Sequence, residues 1–383
     1  MATDKDKSDN FPGTDGRSMV ALDDYYTAAR SLVEPASWDY IDGGSGDETT
    51  LRENLAGYRR YRLRPRVLVD VSRCDMRTTL LGSPVALPIA VAPMGFHGLV
   101  TPEAEPACAR AAGAVGALMV VSTFATSRLE DVARVAQGPL WMQLYVFRDR
   151  AVSEDLVKRA EAAGYRALVV TADAPVRGRR VRDLRNAFAL PSGLAPANFP
   201  GIPADGSSAE LSAHLALRID PAFTWDDLDW LRSLTRLPIV LKGVLTAEDA
   251  ARAAEWGVAA IVVSNHGGRQ LDGAVTALDA LPEVISAVAG RCEVLIDGGI
   301  RRGSDVLVAL ALGARAVLVG RPVLWGMAVS GTEGAREVLS ILGTELETAM
   351  ALCGRTDLAS VDASLLRLGF QDVSAPASEP HPW

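Results

Sequence analysis

The stretch best equipped for chemistry is Ser264-Asn-His-Gly-Gly-Arg-Gln-Leu-Asp272, which follows the apolar run Ala260-Ile-Val-Val263. An apolar run that ends in a polar cluster is the pattern of a buried parallel strand delivering groups to its carboxyl end. His266 is at the centre of the cluster. The other three histidines are His97 in a loop pattern, His214 in a Ser/Ala-rich connection and His381 near the chain end, so a reactive imidazole is expected at His266. Lys242 ends another apolar run, Pro238-Ile-Val-Leu-Lys242, where burying a cation is costly unless it does something. It can stabilise negative charge developing on a bound ring or substrate, pair with a neighbouring carboxylate, or form a Schiff base. Asp297-Gly-Gly-Ile-Arg301 and Gly320-Arg321 combine close backbone approach with fixed positive charge. They read as a phosphate site for a sugar phosphate or a flavin.

These groups need a scaffold that brings strand ends together. Eight short apolar runs alternate with Ala-rich amphipathic segments: 87–92, 117–122, 140–145, 167–172, 238–242, 260–264, 293–297 and 316–320. That alternation predicts an α/β fold, a (β/α)8 TIM barrel with an N-terminal helical extension, over the alternative of a doubly wound open sheet. The polar residues then fall at one end: Pro93-Met-Gly95, Ser122-Thr123, Gln143 and Tyr145, Thr171 and Asp173, Lys242, Ser264 to His266, Asp297 to Gly299, and Gly320-Arg321. A strand-terminal Ser or Asp often only caps the next helix, but eight coincidences are harder to dismiss.

The extension starts near Ala21 with apolar residues at helical spacing, then a helical piece around Trp38. The glycine cluster Asp42-Gly-Gly-Ser-Gly-Asp47 calls for a positive-φ turn with another segment close to its backbone. The connection from Asn186 to Trp225, a long loop after strand four, reads as a lid or an excursion without a role. Ala335 to Leu352 reads as a closing helix. The expected organisation is a flexible tail over 1–18, a single domain over 19–370 and a flexible tail over 371–383.

With 383 residues, 49% of them hydrophobic, the chain can bury a large core. A formal net charge of −8 argues against a nucleic-acid partner. Cys74, Cys108, Cys292 and Cys353 have neither metal-ligand nor disulfide-framework spacing, so no metal is expected and a reducing cytoplasm is compatible. No apolar run is long enough to span a bilayer, so no membrane partner is expected either.

Taken together, Ser264 to Asp272, Leu241-Lys-Gly243, Gln143-Leu-Tyr145, Asp297 to Arg301 and Gly320-Arg-Pro322 resemble the FMN-dependent L-α-hydroxy-acid oxidases and dehydrogenases. These include glycolate oxidase, lactate oxidase, lactate monooxygenase and mandelate dehydrogenase. The resemblance runs over about residues 21 to 365. It implies FMN across the barrel mouth, contacted by Pro93, Met94, Gly95, Ser122, Gln143, Thr171, Lys242 and Ser264. The phosphate falls at Arg301, Gly320 and Arg321, with Asp297, Gly298 and Gly299 also in the cofactor site. It also implies that Arg180 and Arg269, helped by Tyr40, hold a substrate carboxylate. Tyr145 faces the hydroxyl-bearing carbon, His266 is the base and Asp173 orients it. The family further implies a homotetramer.

The resemblance leaves the electron acceptor open between O2, giving hydrogen peroxide, another acceptor, and a monooxygenase outcome. The membrane-bound members carry an apolar insertion in the fourth βα loop. The segment here has no continuous apolar helix, which favours O2. Gly95 stands where many relatives have Ala and the monooxygenase type has Gly, and the Asp42 to Glu48 turn also resembles that type. Phe124 occupies a pocket position often held by Trp, and Arg177 one usually apolar or small. An inward Arg177 suits a substrate with a second anionic or polar group; an outward one is merely solvated. Two readings compete from outside hydroxy-acid oxidation: a phosphosugar or isoprenoid isomerase using Lys242, and a non-catalytic flavin-binding barrel.

Overall fold

The computed structural model describes residues 19–199 and 218–369. The tails expected at 1–18 and 371–383, and residues 200–217 of the long connection, lie outside the described residues.

Each of the eight apolar runs forms a barrel strand: β4 (Ile89–Val91), β5 (Met119–Val121), β6 (Leu140–Leu144), β7 (Leu168–Thr171), β8 (Ile239–Val244), β9 (Ala260–Val263), β10 (Glu293–Asp297) and β11 (Ala316–Val319). They close in chain order, with β11 pairing back onto β4, and all eight pairs are parallel. Strands covered on both faces can be apolar throughout, which is why these runs read as continuous rather than alternating. Inward side chains such as Leu118, Val120, Trp141, Val169, Val240, Val262 and Leu295 fill the interior. The outward ones join the helices in a second layer.

Two small sheets lay outside the sequence reading. A hairpin of β2 (Thr78–Leu80) and β3 (Ser83–Val85) puts Leu80 and Val85 into the interior cluster. Leu81 N donates to Glu293 at the start of β10, so the hairpin plugs the amino end of the barrel. The carboxyl end is left as the open face. β1 (Tyr61–Leu63) pairs antiparallel with β12 (Leu366–Leu368), joining segments some 300 residues apart that local pattern cannot connect.

The closing helix begins earlier than its sequence pattern suggested. Helical structure runs from Arg321 to Leu352, broken at Ser330 and Gly331, whose φ of 56° and ψ of −126° turn the chain back. Gly326 and Gly334 then pack backbone against backbone, where a Cβ on either would overlap the other's carbonyl group. Arg321 therefore stands in the first turn of a helix, the end that favours anions.

The helices Leu22–Leu32, Pro35–Asp42 and Thr49–Arg59 form the N-terminal extension. Tyr25 donates to Glu337, and Tyr26 meets Trp38 and Trp325 edge to face, fixing the first helix on the closing one. The expected positive-φ turn is carried within residues 42–47 by Gly46, while Gly43 is extended. The close approach is real: Ser45 N donates to Gly268 O at 2.9 Å, and Asp272 accepts from the amides of Asp47 and Thr50 at 2.8 and 2.9 Å. Asn54 and Asn265 exchange amide hydrogen bonds of 2.9 and 2.8 Å, so the extension is bolted to the loop that carries His266.

Candidate active site

The carboxyl end of the barrel opens into a cavity of about 300 Å³. Every site residue named from the sequence lines it except Asp173 and Ser264, and those two stand directly behind lining residues. His266 follows β9 with a φ of 59°, a left-handed conformation uncommon for a non-glycine residue. Its amide donates to Ser264 Oγ at 3.0 Å. Its Nδ1 lies 2.9 Å from Asp173 Oδ1 and its Nε2 3.4 Å from the Tyr145 hydroxyl. Burial pushes the imidazole below its ordinary range, Lys242 and Arg180 push the same way, and Asp173 offsets only part. Burial raises the Asp173 carboxyl, but His266 and then Lys242 more than offset this and hold it below the ordinary carboxylate value. The pair is therefore a carboxylate beside a neutral imidazole, with Nδ1 protonated and Nε2 free to accept. Tyr145 is raised, by burial first and then by Asp173, and remains a phenol that can donate.

Lys242 is buried at the end of β8, 3.0 Å from Asp297 Oδ2 and donating to Ser264 Oγ at 2.8 Å. Of its possible roles, pairing with a carboxylate is thus real, and Lys242 is also among the residues lining the cavity. Burial lowers its pKa, but Asp297 and then Asp173 raise it further than burial lowers it, so the charge is kept. Gln143 ties three strand ends together: its Oε1 accepts from Ser122 Oγ and Thr123 N at 3.3 and 3.1 Å, and its Nε2 donates to Thr171 Oγ1 at 3.0 Å.

Arg180, Arg269, Arg301 and Arg321 all face the cavity. Arg269 and Arg321 both donate to the carbonyls of Ile41 and Gly43, closing the negative end of the Pro35–Asp42 helix. Burial, then Arg180, pushes Arg269 down to about 9; burial, then Arg321, pushes Arg301 down to about 10. A guanidinium keeps its proton in a protein, so such depression expresses how strongly the site favours an incoming anion. Arg180 Nε and Arg301 Nε are buried without a hydrogen-bond partner. These orphaned donors, with the glycines at 298, 299 and 320 in the cavity wall, fit a phosphorylated ligand and a carboxylate, so the residues present fit FMN.

Four contributors were missed. Phe188 stacks on Tyr40 at 4.5 Å, and Tyr40 in turn lies under Arg269 and Arg180, at 5.0 and 5.9 Å. Gln270 donates to the carbonyls of Asp173 and Val176 and accepts from Gly178 N, clamping the 173–180 loop. Asp183 pairs with Arg177, and Asn54 braces Asn265. Gln270 stood inside the recognised motif and was the one with a usable signal. Among the described residues no group of side chains is placed to hold a metal ion, and no helix is long and apolar enough to cross a membrane.

Comparison with known proteins agrees with this geometry. The model of the FMN-dependent dehydrogenase family matches residues 29–368. An L-lactate oxidase of a Nostoc species is 51% identical, covering 92% of this chain and 99% of the relative. A peroxisomal (S)-2-hydroxy-acid oxidase of Oryza sativa subsp. japonica is 49% identical over 93% of this chain and 96% of its own length. A mandelate oxidase structure with (S)-4-hydroxymandelic acid superposes with a TM-score of 0.86 at 45% identity, covering 92% of this chain and 99% of that one. By family match, identity and fold alike, the chain belongs to the FMN-dependent dehydrogenase family.

Proposed function

We propose that the protein oxidises an (S)-2-hydroxy acid to the 2-oxo acid, with FMN bound in the barrel mouth and O2 as acceptor, reduced to hydrogen peroxide. The observation that carries this reading is the Asp173–His266–Tyr145 chain beside the paired guanidiniums of Arg180 and Arg269. Neither a simple binding site nor an isomerase using Lys242 needs a base next to a carboxylate clamp. Arg180 and Arg269 bind the substrate carboxylate, with Tyr40 and Phe188 stiffening the clamp. Tyr145 donates to the substrate oxygen, and His266 Nε2 takes the proton. Asp173 fixes the imidazole tautomer and stabilises the imidazolium that forms. FMN supplies the acceptor for the two electrons released. Pro93, Met94, Gly95, Ser122, Gln143, Thr171 and Lys242 hold its ring, and Ser264 acts from behind by positioning Lys242 and His266. Arg301, Gly320 and Arg321 form the phosphate end, Gly298 and Gly299 line the cofactor cavity, and Asp297 joins the cofactor site through its pair with Lys242. Residues 19–370 act as one catalytic unit.

The test is anaerobic mixing of the FMN-loaded protein with L-lactate, glycolate, longer aliphatic hydroxy acids and mandelate. Bleaching of the FMN absorbance with 2-oxo acid formation, then peroxide on admitting air, is expected. No bleaching by any of them overturns the proposal. Acetate and CO2 from lactate would assign the monooxygenase outcome that Gly95 suggests, and turnover only with an artificial acceptor a dehydrogenase.

The depressed His266 pKa sets the acid limb of the pH profile. Protonation of Nε2 removes the accepting lone pair, so kcat/KM falls as pH drops and is retained as pH rises. The midpoint is expected below about 6.5, the ordinary imidazole value. A limb centred above neutrality would contradict the neutral-imidazole assignment.

The four cysteines are free, which suits the cytoplasm. Val67 and Leu68 are 81% and 103% exposed, apolar surface that a homotetramer could cover. Light scattering of the native protein is expected to give four protomers; a monomer would refute the assembly.

A further inference from the structure

We infer that Arg177 is a second anion contact at the cavity rim, selecting 2-hydroxy acids whose side chain ends in a carboxylate. This rests on the hydroxy-acid reading above and names its substrate class. Arg177 lines the same cavity as Arg180, on the loop that Gln270 clamps. The backbone there is fixed: a Cβ on Gly178 would overlap the Arg269 and Gln270 carbonyl oxygens, so Arg177 is not swinging on a free loop. Its one hydrogen bond among the described residues is from Nη2 to Asp183 Oδ2, at 3.0 Å. A guanidinium has five N–H donors, so this bond orients the group and leaves most of its donors free.

Asp183 also bears on Arg180, whose Nη1 lies 4.0 Å from the same Oδ2. One buried carboxylate thus serves two cationic side chains, leaving a surplus of positive charge for the ligand to match. Sharing that oxygen also holds the two guanidiniums within reach of a single small diacid. With one substrate carboxylate on Arg180 and Arg269, a second at the end of a short chain meets Arg177. The wall of the same cavity is partly apolar and aromatic, with Tyr40, Phe96, Phe124 and Phe188, and suits a methylene chain.

Arg177 is 42% exposed, so solvent weakens the contact, and its removal is worth about tenfold in discrimination. The experiment measures kcat/KM for 2-hydroxyglutarate against 2-hydroxypentanoate, and the affinity of glutarate against pentanoate for the FMN-loaded protein by calorimetry. Both are run in the native enzyme and in Arg177→Leu, with Arg177→Gln in its place should the leucine variant not fold. A fall of at least fivefold in the diacid-to-monoacid affinity ratio supports the inference, and any smaller change overturns it. The binding arm needs no turnover. A ratio that falls while no hydroxy acid is oxidised keeps the Arg177 contact and sinks the oxidase reading; oxidation with an unchanged ratio does the reverse.

Discussion

His266→Asn is expected to lower the rate of substrate-dependent FMN bleaching by about 10²- to 10⁴-fold while FMN remains bound, the range for losing a positioned general base. Asparagine is chosen over alanine because the residue sits at a φ of 59°, and Asn tolerates the left-handed region better than most side chains. The amide of residue 266 can still donate to Ser264 Oγ, so the loop and the Lys242 contact on the same oxygen are preserved. What is lost is the Nε2 lone pair and the charge that Asp173 stabilises. Asp173→Asn should be slowed as well, since the imidazole then loses the carboxylate that selects its tautomer. Tyr145→Phe should be hurt least, because its 3.4 Å contact with Nε2 is long and its phenol only donates. The measurement is stopped-flow bleaching with saturating substrate in the absence of air. A His266→Asn enzyme within tenfold of the parent would remove His266 from the role of base.

The barrel was legible because its strands are buried on both faces, so each is an uninterrupted apolar run and each ends in the polar residue it presents. The same logic found His266, Lys242 and the two glycine-arginine loops, whose residue types are costly anywhere but at a working site. The clamp residues Arg180 and Tyr40 were reached through the family resemblance, since an arginine in a loop and a tyrosine in a helix carry no such cost. Asp183 and Phe188 went unread for a related reason: each matters only through a neighbour brought close by the turn of the 173–188 segment. The β1–β12 pairing and the amino-end hairpin are short and half exposed, below what a period-2 pattern can reveal over three residues. Glycines and Pro322 thin the helical pattern in the first half of the closing helix, so only the part from residue 335 is legible as helix, although Pro is well tolerated in a first turn.

Lys242→Met is expected to destabilise the FMN-free protein by about 3–5 kcal/mol, the usual result of removing one partner from a buried ion pair. Methionine keeps the length and apolar stem of lysine, so packing around β8 is spared and the change isolates the charge. Asp297 is then left buried, with one oxygen already unpartnered and the other deprived of the ammonium at 3.0 Å. The sign of the pH dependence follows from the raised lysine pKa. The pair contributes fully below the unfolded lysine value of about 10.4 and is lost only as pH rises through the higher folded value, so the deficit should be present throughout the neutral range. Thermal melts of the FMN-free parent and variant give the destabilisation, and a second substitution supplies the control. Asp297→Asn on the Lys242→Met background removes the stranded charge and should recover part of the loss, a coupling expected for two groups in contact. FMN affinity should fall in both variants, because the cavity has lost a cation beside the cofactor. Weakened FMN binding with an unshifted melt would show that Lys242 serves only the ligand and that Asp297 is not held by it.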